Sequence, residues 1–213
     1  MNARIDNPSP LPPAPDLQRR TRVGPHLVDD SNLARFNSLL LRLDRACPPV
    51  NRDQLATAAR NLFNRAPGCD HTVAHIHRSM RRASAIDLML HDADWVPAHA
   101  VLAPAQLVVH YVRDASGLIP DTLQRIGRLD DSIVVDVAWP VLRGEVEDYL
   151  DFRRVRRVER GLGNGNANAN ANGFDRNRWE QARNAEAALI EHCRRVGESS
   201  YVDGSAISHF RVA

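Results

Sequence analysis

The stretch that decides the fold runs Asp130-Asp131-Ser132-Ile133-Val134-Val135-Asp136-Val137-Ala138-Trp139. Its β-branched residues would suit a strand. The apolar side chains nevertheless follow one another without the alternation of a half-buried strand, and no alternating partner strand lies nearby. The reading is a buried helix, with Asp130 and Asp131 satisfying its first amides and complementing its dipole. Pro140 kinks or restarts the chain, and Leu142, Val146, Tyr149, Phe152 and Val155 continue a helical stripe to about Arg160.

Working outward, helical punctuation recurs on the N-terminal side. Asp29-Asp30-Ser31 caps a helix carrying Leu33, Phe36, Leu40 and Leu43, which Cys47-Pro48-Pro49 ends. Asn51 starts a second, with Leu55, Ala58, Leu62 and Phe63 facing inward and Pro67-Gly68 as its stop. Asp70 caps a third to about Leu90, and Pro104 reads as the first turn of a fourth bearing Leu107, Val108 and Tyr111. Between Gly117 and Gly127 the segment is short and bounded by helix breakers, which predicts a tight turn holding one helical turn. There Ile119 is kept out of the α region by Pro120, Asp121 caps the turn, and Gly127 supplies a positive φ that reverses the chain.

The segment Tyr111-Val112-Arg113-Asp114-Ala115-Ser116-Gly117-Leu118-Ile119-Pro120-Asp121, continued by Gly127 and Asp130-Asp131, resembles the YkvA-like family of bacterial domains of unknown function. Leu118-Ile119-Pro120-Asp121, Gly127, Asp130 and Asp131 match in identity and spacing, whereas Ala115, Gly117 and Gln124 depart from that pattern. The match spans about 107–142, some 40 of 213 residues. The resemblance implies a helix-turn-helix pair within a small all-α module, bacterial origin, and in many relatives an association with membranes; it implies no activity.

Composition bounds the rest. A chain of 213 residues, 43% hydrophobic and 25% charged, is globular and long enough to bury one core without staples. Basic and acidic groups nearly cancel, 28 against 26, so no general polyanion binder is indicated and nucleic acid is not an expected partner. Three cysteines, Cys47, Cys69 and Cys193, are odd in number and widely spaced, which predicts free thiols in a reducing compartment. No apolar run reaches the roughly 18 residues of a membrane span, and 1–25 lacks the apolar core of a Sec signal. All 28 basic residues are arginine. Codon bias accounts for that most simply; the sharper reading is avoidance of amine modification, as in a protein exported by a non-Sec route into a host cell.

Several groups of residues invite a chemical reading. Asp121, Asp130 and Asp131 could gather around a hard cation, although each also has a capping role that needs only local geometry. His71 and His75 share a helix face at the spacing that lets two imidazoles hold zinc, but Thr72 stands where metalloprotease helices have Glu. That face is expected in solvent, with His77 in the core. His91-Asp92 is too short to identify a phosphohydrolase. No phosphate loop, nucleophile elbow or CxxC is present, so nucleophilic catalysis has no support. Arg153, Arg154, Arg156 and Arg157 form the densest basic run and could touch an anionic membrane surface, while the acids upstream on the same helix favour a solvated, self-neutralising end.

The sequence therefore predicts an all-α fold: a small helical bundle over 26–160 with a short helix-turn-helix hairpin, following a disordered Pro-rich tail at 1–25. A Gly/Asn/Ala linker at 161–173 leads to a C-terminal helix from about Asp175 to Arg195, its Trp179, Ala182, Ala185, Leu189 and Ile190 inside or docked back, and a small hairpin at Tyr201–Ile207. The expected function is a non-catalytic interaction module for a protein partner, with an anionic membrane surface as a further contact, no cofactor, and a cytoplasmic or non-Sec-secreted location. Its expected binding residues are Asp121, Asp130, Asp131, Arg153, Arg154, Arg156 and Arg157. The alternative is a metal-dependent enzyme or metal-binding factor using the clustered aspartates.

Overall fold

In a computed structural model the described residues are 11, 22–64, 69–114, 117–123, 126–162 and 174–199. They form a two-stranded hairpin, β1 (Arg22–Val23) and β2 (His26–Leu27), followed by α1 (Asp30–Leu43), α2 (Arg52–Asn64), α3 (Cys69–His91), α4 (His99–Arg113), α5 (Leu129–Leu162) and α6 (Arg176–Ser199). The fold is all-α, as the apolar periodicity required. The chain divides into two compact units, Met1–Asp151 and Phe152–Ala213.

In the first unit the strands pair antiparallel, Arg22 opposite Leu27 and Val23 opposite His26, around Gly24 at φ 59, a value glycine reaches without a Cβ clash. Val23 is fully buried and β1 packs on α2, so part of the stretch expected to be a disordered tail is folded. Asp29 caps α1 by accepting from the Ser31 amide at 3.0 Å. Asn51 and Gln54 cap α2 reciprocally, each side chain accepting the other's backbone N–H at 2.9 and 3.0 Å. Phe36, Leu40 and Leu43 bury the inner face of α1, and the Phe36 ring lies 5.7 Å from that of Tyr111 on α4. α4 also packs on α3, and α3 on α2.

The run 129–136 is buried at every position, which makes the start of α5 the axis of this unit rather than a surface helix. Pro140 neither ends nor restarts the helix, which is continuous from Leu129 to Leu162. Pro104 is likewise interior: α4 begins at His99, one turn earlier than the proline suggested. Its start is stabilised from outside the helix, because Glu145 of α5 accepts from the Ala98 amide at 3.2 Å and from Trp95 Nε1 at 3.1 Å. A carboxylate there offsets the positive end of the α4 dipole.

In the second unit Phe174 stacks on Phe152 with ring centroids 5.7 Å apart, and Trp179 is buried. Asp175 caps α6 by accepting from the Arg178 amide. Beyond that first turn the apolar side chains were expected inside and are not: Ala182 and Ala185 are exposed, and Leu189 and Ile190 are 61% and 63% exposed. The 161–173 linker lies almost wholly outside the described residues, and the Tyr201–Ile207 hairpin entirely so. Among the described residues no helix is long and apolar enough to cross a membrane.

Candidate functional site

The corner between α4 and α5 collects the residues that the sequence singled out, and each has a bond to make. Tyr111, in the last turn of α4, donates its hydroxyl to Asp130 Oδ2 at 2.7 Å and accepts the Leu118 amide at 3.0 Å. The same Asp130 oxygen accepts the Ile119 amide at 3.0 Å. Asp130, in the first turn of α5 as expected, thus also reaches back across the corner and fastens the incoming loop. Leu118, Ile119, Ile126 and Leu129 fill the space beneath, all buried.

Arg128 closes the corner from outside. Its guanidinium is 2.8 Å from Asp131 Oδ2, 3.1 Å from Asp121 Oδ2 and 3.3 Å from the Val112 carbonyl oxygen. Asp121 was expected to cap this turn, and residues 124 and 125, which it would cap, lie outside the described residues; backbone bonds run from Leu123 N–H to the Pro120 carbonyl and from Gly127 N–H to the Leu123 carbonyl. Gly127 carries no positive φ, the expectation for it. Its role is close approach: a Cβ there would lie 2.7 Å from the Asp121 carbonyl oxygen. Gly117, one of the departures from the YkvA-like pattern, is similarly crowded, a Cβ meeting Asp130 Oδ2 at 3.0 Å.

The electrostatics follow from burial. Asp130 is 1% exposed, and its second oxygen, Oδ1, is buried without a hydrogen-bond partner. Burial raises its pKa against the pull of Tyr111 and the Ile119 amide. Asp131 is pushed up to about 7, first by burial and then by the charge of Asp130, with the Arg128 hydrogen bond opposing. Burial, followed by the neighbouring Asp130 charge, keeps the Tyr111 phenol protonated at all ordinary pH. The hydrogen bond to Asp131 raises Arg128, which remains a cation.

Two of the three carboxylates therefore converge, but on a guanidinium: Arg128 stands between Asp121 and Asp131, where a shared cation would have to sit, while Asp130 is engaged by Tyr111 and Ile119. Two neighbouring depressions, about 250 and 420 Å³, run along α3 and α4 and share Val109 and Arg113; none of the three aspartates lines either. Among the described residues no group of three or more His, Cys, Asp or Glu side chains is placed to hold a metal.

The histidines are arranged differently from expectation. His77 is exposed, not in the core. His75, expected in solvent, is 24% exposed and its Nε2 bonds Oδ2 of Asp136, a buried residue of α5. Ser79 donates to the other Asp136 oxygen at 2.9 Å. The side chain of His71 lies outside the described residues. Sequence reasoning passed over Asp136, although a lone carboxylate inside the apolar run Ile133–Trp139 was the available signal: a charge on a fully buried helix needs a partner from a neighbour. His91 and Asp92 diverge. His91 Nδ1 bonds the Asp87 carbonyl oxygen at 2.7 Å, while Asp92 accepts from the Tyr149 hydroxyl at 3.1 Å.

The arginine run belongs to the second unit. Arg156 lies 4.7 Å over the Phe152 ring, Arg153 is half-buried, and Arg154 and Arg157 are exposed. Comparison with protein-family models, curated proteins and solved structures returned no match to the chain.

Proposed function

We propose that this chain is a non-catalytic helical interaction module of the YkvA-like kind, which presents its surface to a protein partner. The observation that carries the reading is the insertion of Arg128 between Asp121 and Asp131, 3.1 and 2.8 Å away. Those carboxylates are engaged by a guanidinium that ties the loop to α4 and α5. The bonds of Asp130 to Tyr111 and Ile119 support the same conclusion, since a carboxylate occupied by two donors in the core is poorly placed to exchange protons with a reactant.

Two measurements on the full chain test it. Adding Mg²⁺, Ca²⁺ or Zn²⁺ is expected to leave the melting temperature unchanged; a rise that Asp131→Asn abolishes would replace this reading by the metal-dependent one. Affinity capture from the native cell with quantitative mass spectrometry is expected to yield one protein at near-equal stoichiometry. Recovery of nothing beyond an unrelated bait removes the proposal.

A further inference from the structure

Helix α6 is amphipathic, yet its apolar face lies open. Trp179 is buried near its start, but every residue from 180 to 190 is exposed, and so are Cys193 and Val196. At about 100° per residue, Ala182, Ala185, Leu189, Cys193 and Val196 fall within an arc of about 80°, which no charged residue between 180 and 198 enters. Successive members stand three, four, four and three residues apart, the spacing at which two helices keep one seam together. Charges occupy the flanks and the far side. There all four glutamates of α6 pair with its own arginines: Glu180 with Arg176, Glu186 with Arg183, Glu191 with Arg194 and Arg195, and Glu198 with Arg194.

We propose that this face docks on α6 of a second copy of the chain, the two helices running antiparallel with Leu189 at the centre. The proposal does not rest on the corner at Asp130. Charge selects the occupant. From Arg176 to Ser199 the helix holds five arginines and four glutamates, and its internal ion pairs leave the rim of the stripe close to neutral. A strongly charged partner or an anionic membrane finds little to attract it there, whereas two such rims meet without repulsion. Size selects the orientation. Ala182 and Ala185 make the N-terminal half of the stripe shallow; Leu189, Cys193 and Val196 make the C-terminal half prominent. Antiparallel pairing sets the larger side chains of each copy against the alanines of the other and opposes the two helix dipoles, while a parallel pair would face alanine with alanine and leave a gap. The stripe covers 15 residues, about 22 Å, so the interface is small and the association depends on concentration.

Sedimentation velocity of the full chain, from micromolar to several hundred micromolar, tests it. The mass is expected to climb from 23.8 kDa toward twice that, and amides of 185–198 to exchange more slowly as concentration rises, though still faster than those of 133–149. Leu189→Glu is expected to weaken the association at least about 100-fold without moving the melting temperature of dilute protein, since Leu189 is exposed in the single chain. Ala187→Gln, on the far side of the helix, is expected to leave it intact. Orientation is read by crosslinking in a chain carrying Cys47→Ser and Cys69→Ser. Cys193 alone is expected to give no disulfide-linked dimer, and adding Ala185→Cys to give one, because antiparallel pairing sets 185 of one copy opposite 193 of the other. A covalent dimer through Cys193 alone overturns the arrangement. A full chain that stays at 23.8 kDa overturns the proposal, as does association that survives Leu189→Glu or is lost equally in Ala187→Gln. For such a monomer, pelleting with phosphatidylglycerol vesicles would assign the face to lipid, and a dimer gained on removing 200–213 would assign it to the chain's own end.

Discussion

At Gly127 a methyl group would lie 2.7 Å from the Asp121 carbonyl oxygen, and backbone cannot swing aside as a flexible side chain can. Gly127→Ala is accordingly expected to cost about 1–3 kcal/mol in urea unfolding, the usual range for overpacking. Gly144, in the middle of α5 with nothing within 4 Å of its notional Cβ, is the internal control: Gly144→Ala is expected to stabilise by about 0.5–1 kcal/mol. Equal effects at the two glycines would refute the close-approach account. Asp131 supplies a second residue-scale prediction. Its carboxyl rises from 3.8 to about 7 on folding, so between these values the folded state binds more protons than the unfolded. Stability should then fall as pH climbs from about 4 to about 7 and level off above, by at most about 4 kcal/mol and by less after solvent screening. Asp131→Asn should flatten that slope and raise stability at pH 8, which denaturant titrations at pH 5 and pH 8 would check. A parent slope of opposite sign would show that Asp131 is held as a well-paired carboxylate.

At the scale of elements, the joint between α4 and α5 depends on Tyr111 more than on the aspartates' own helix. Tyr111→Phe removes a donor from Asp130 and an acceptor from the Leu118 amide while keeping the ring against Phe36. The expected loss is about 1–3 kcal/mol, with faster amide exchange at Leu118 and Ile119. Wild-type exchange rates there would mean that the loop is held by burial alone. The sequence made the helices legible because caps and apolar spacing are local: Asp29, Asn51 and Asp175 all cap where such residues should. It did not disclose that Glu145 supports the start of α4, or that Asp136 holds His75 and Ser79, since these pairs join residues about 50 and 60 positions apart. Pro104 misled for a related reason. A proline inside the helix removes one amide bond, a loss the packing of Val101, Ala105 and Val108 offsets. For the corner, the pattern located the residues correctly but not the direction of their bonds; only the folded chain brings Tyr111 and Arg128 to them.

Across the whole molecule, order is unevenly distributed. The buried face of α5 between Ile133 and Tyr149 anchors the first unit, whereas from Ala182 onward α6 carries its own arginine–glutamate pairs, such as Arg194 with Glu191 and Glu198. Exposed i,i+3 and i,i+4 pairs each contribute only about 0.3–0.5 kcal/mol. Amides of 185–198 are therefore expected to exchange at least about 100-fold faster than those of 133–149. Comparable protection in both segments would mean that the outer face of α6 is covered in solution.

A buried aspartate near neutrality also bears on how the protein migrates in an electric field. The formal charge of +2 treats every carboxylate as ionised, yet near pH 7 Asp131 is ionised only about half the time. Native electrophoresis at pH 5 should consequently leave the parent and Asp131→Asn together, since both are neutral at that position, and at pH 9 should separate them by one charge. A full charge of separation already at pH 5 would show that folding stores no proton there.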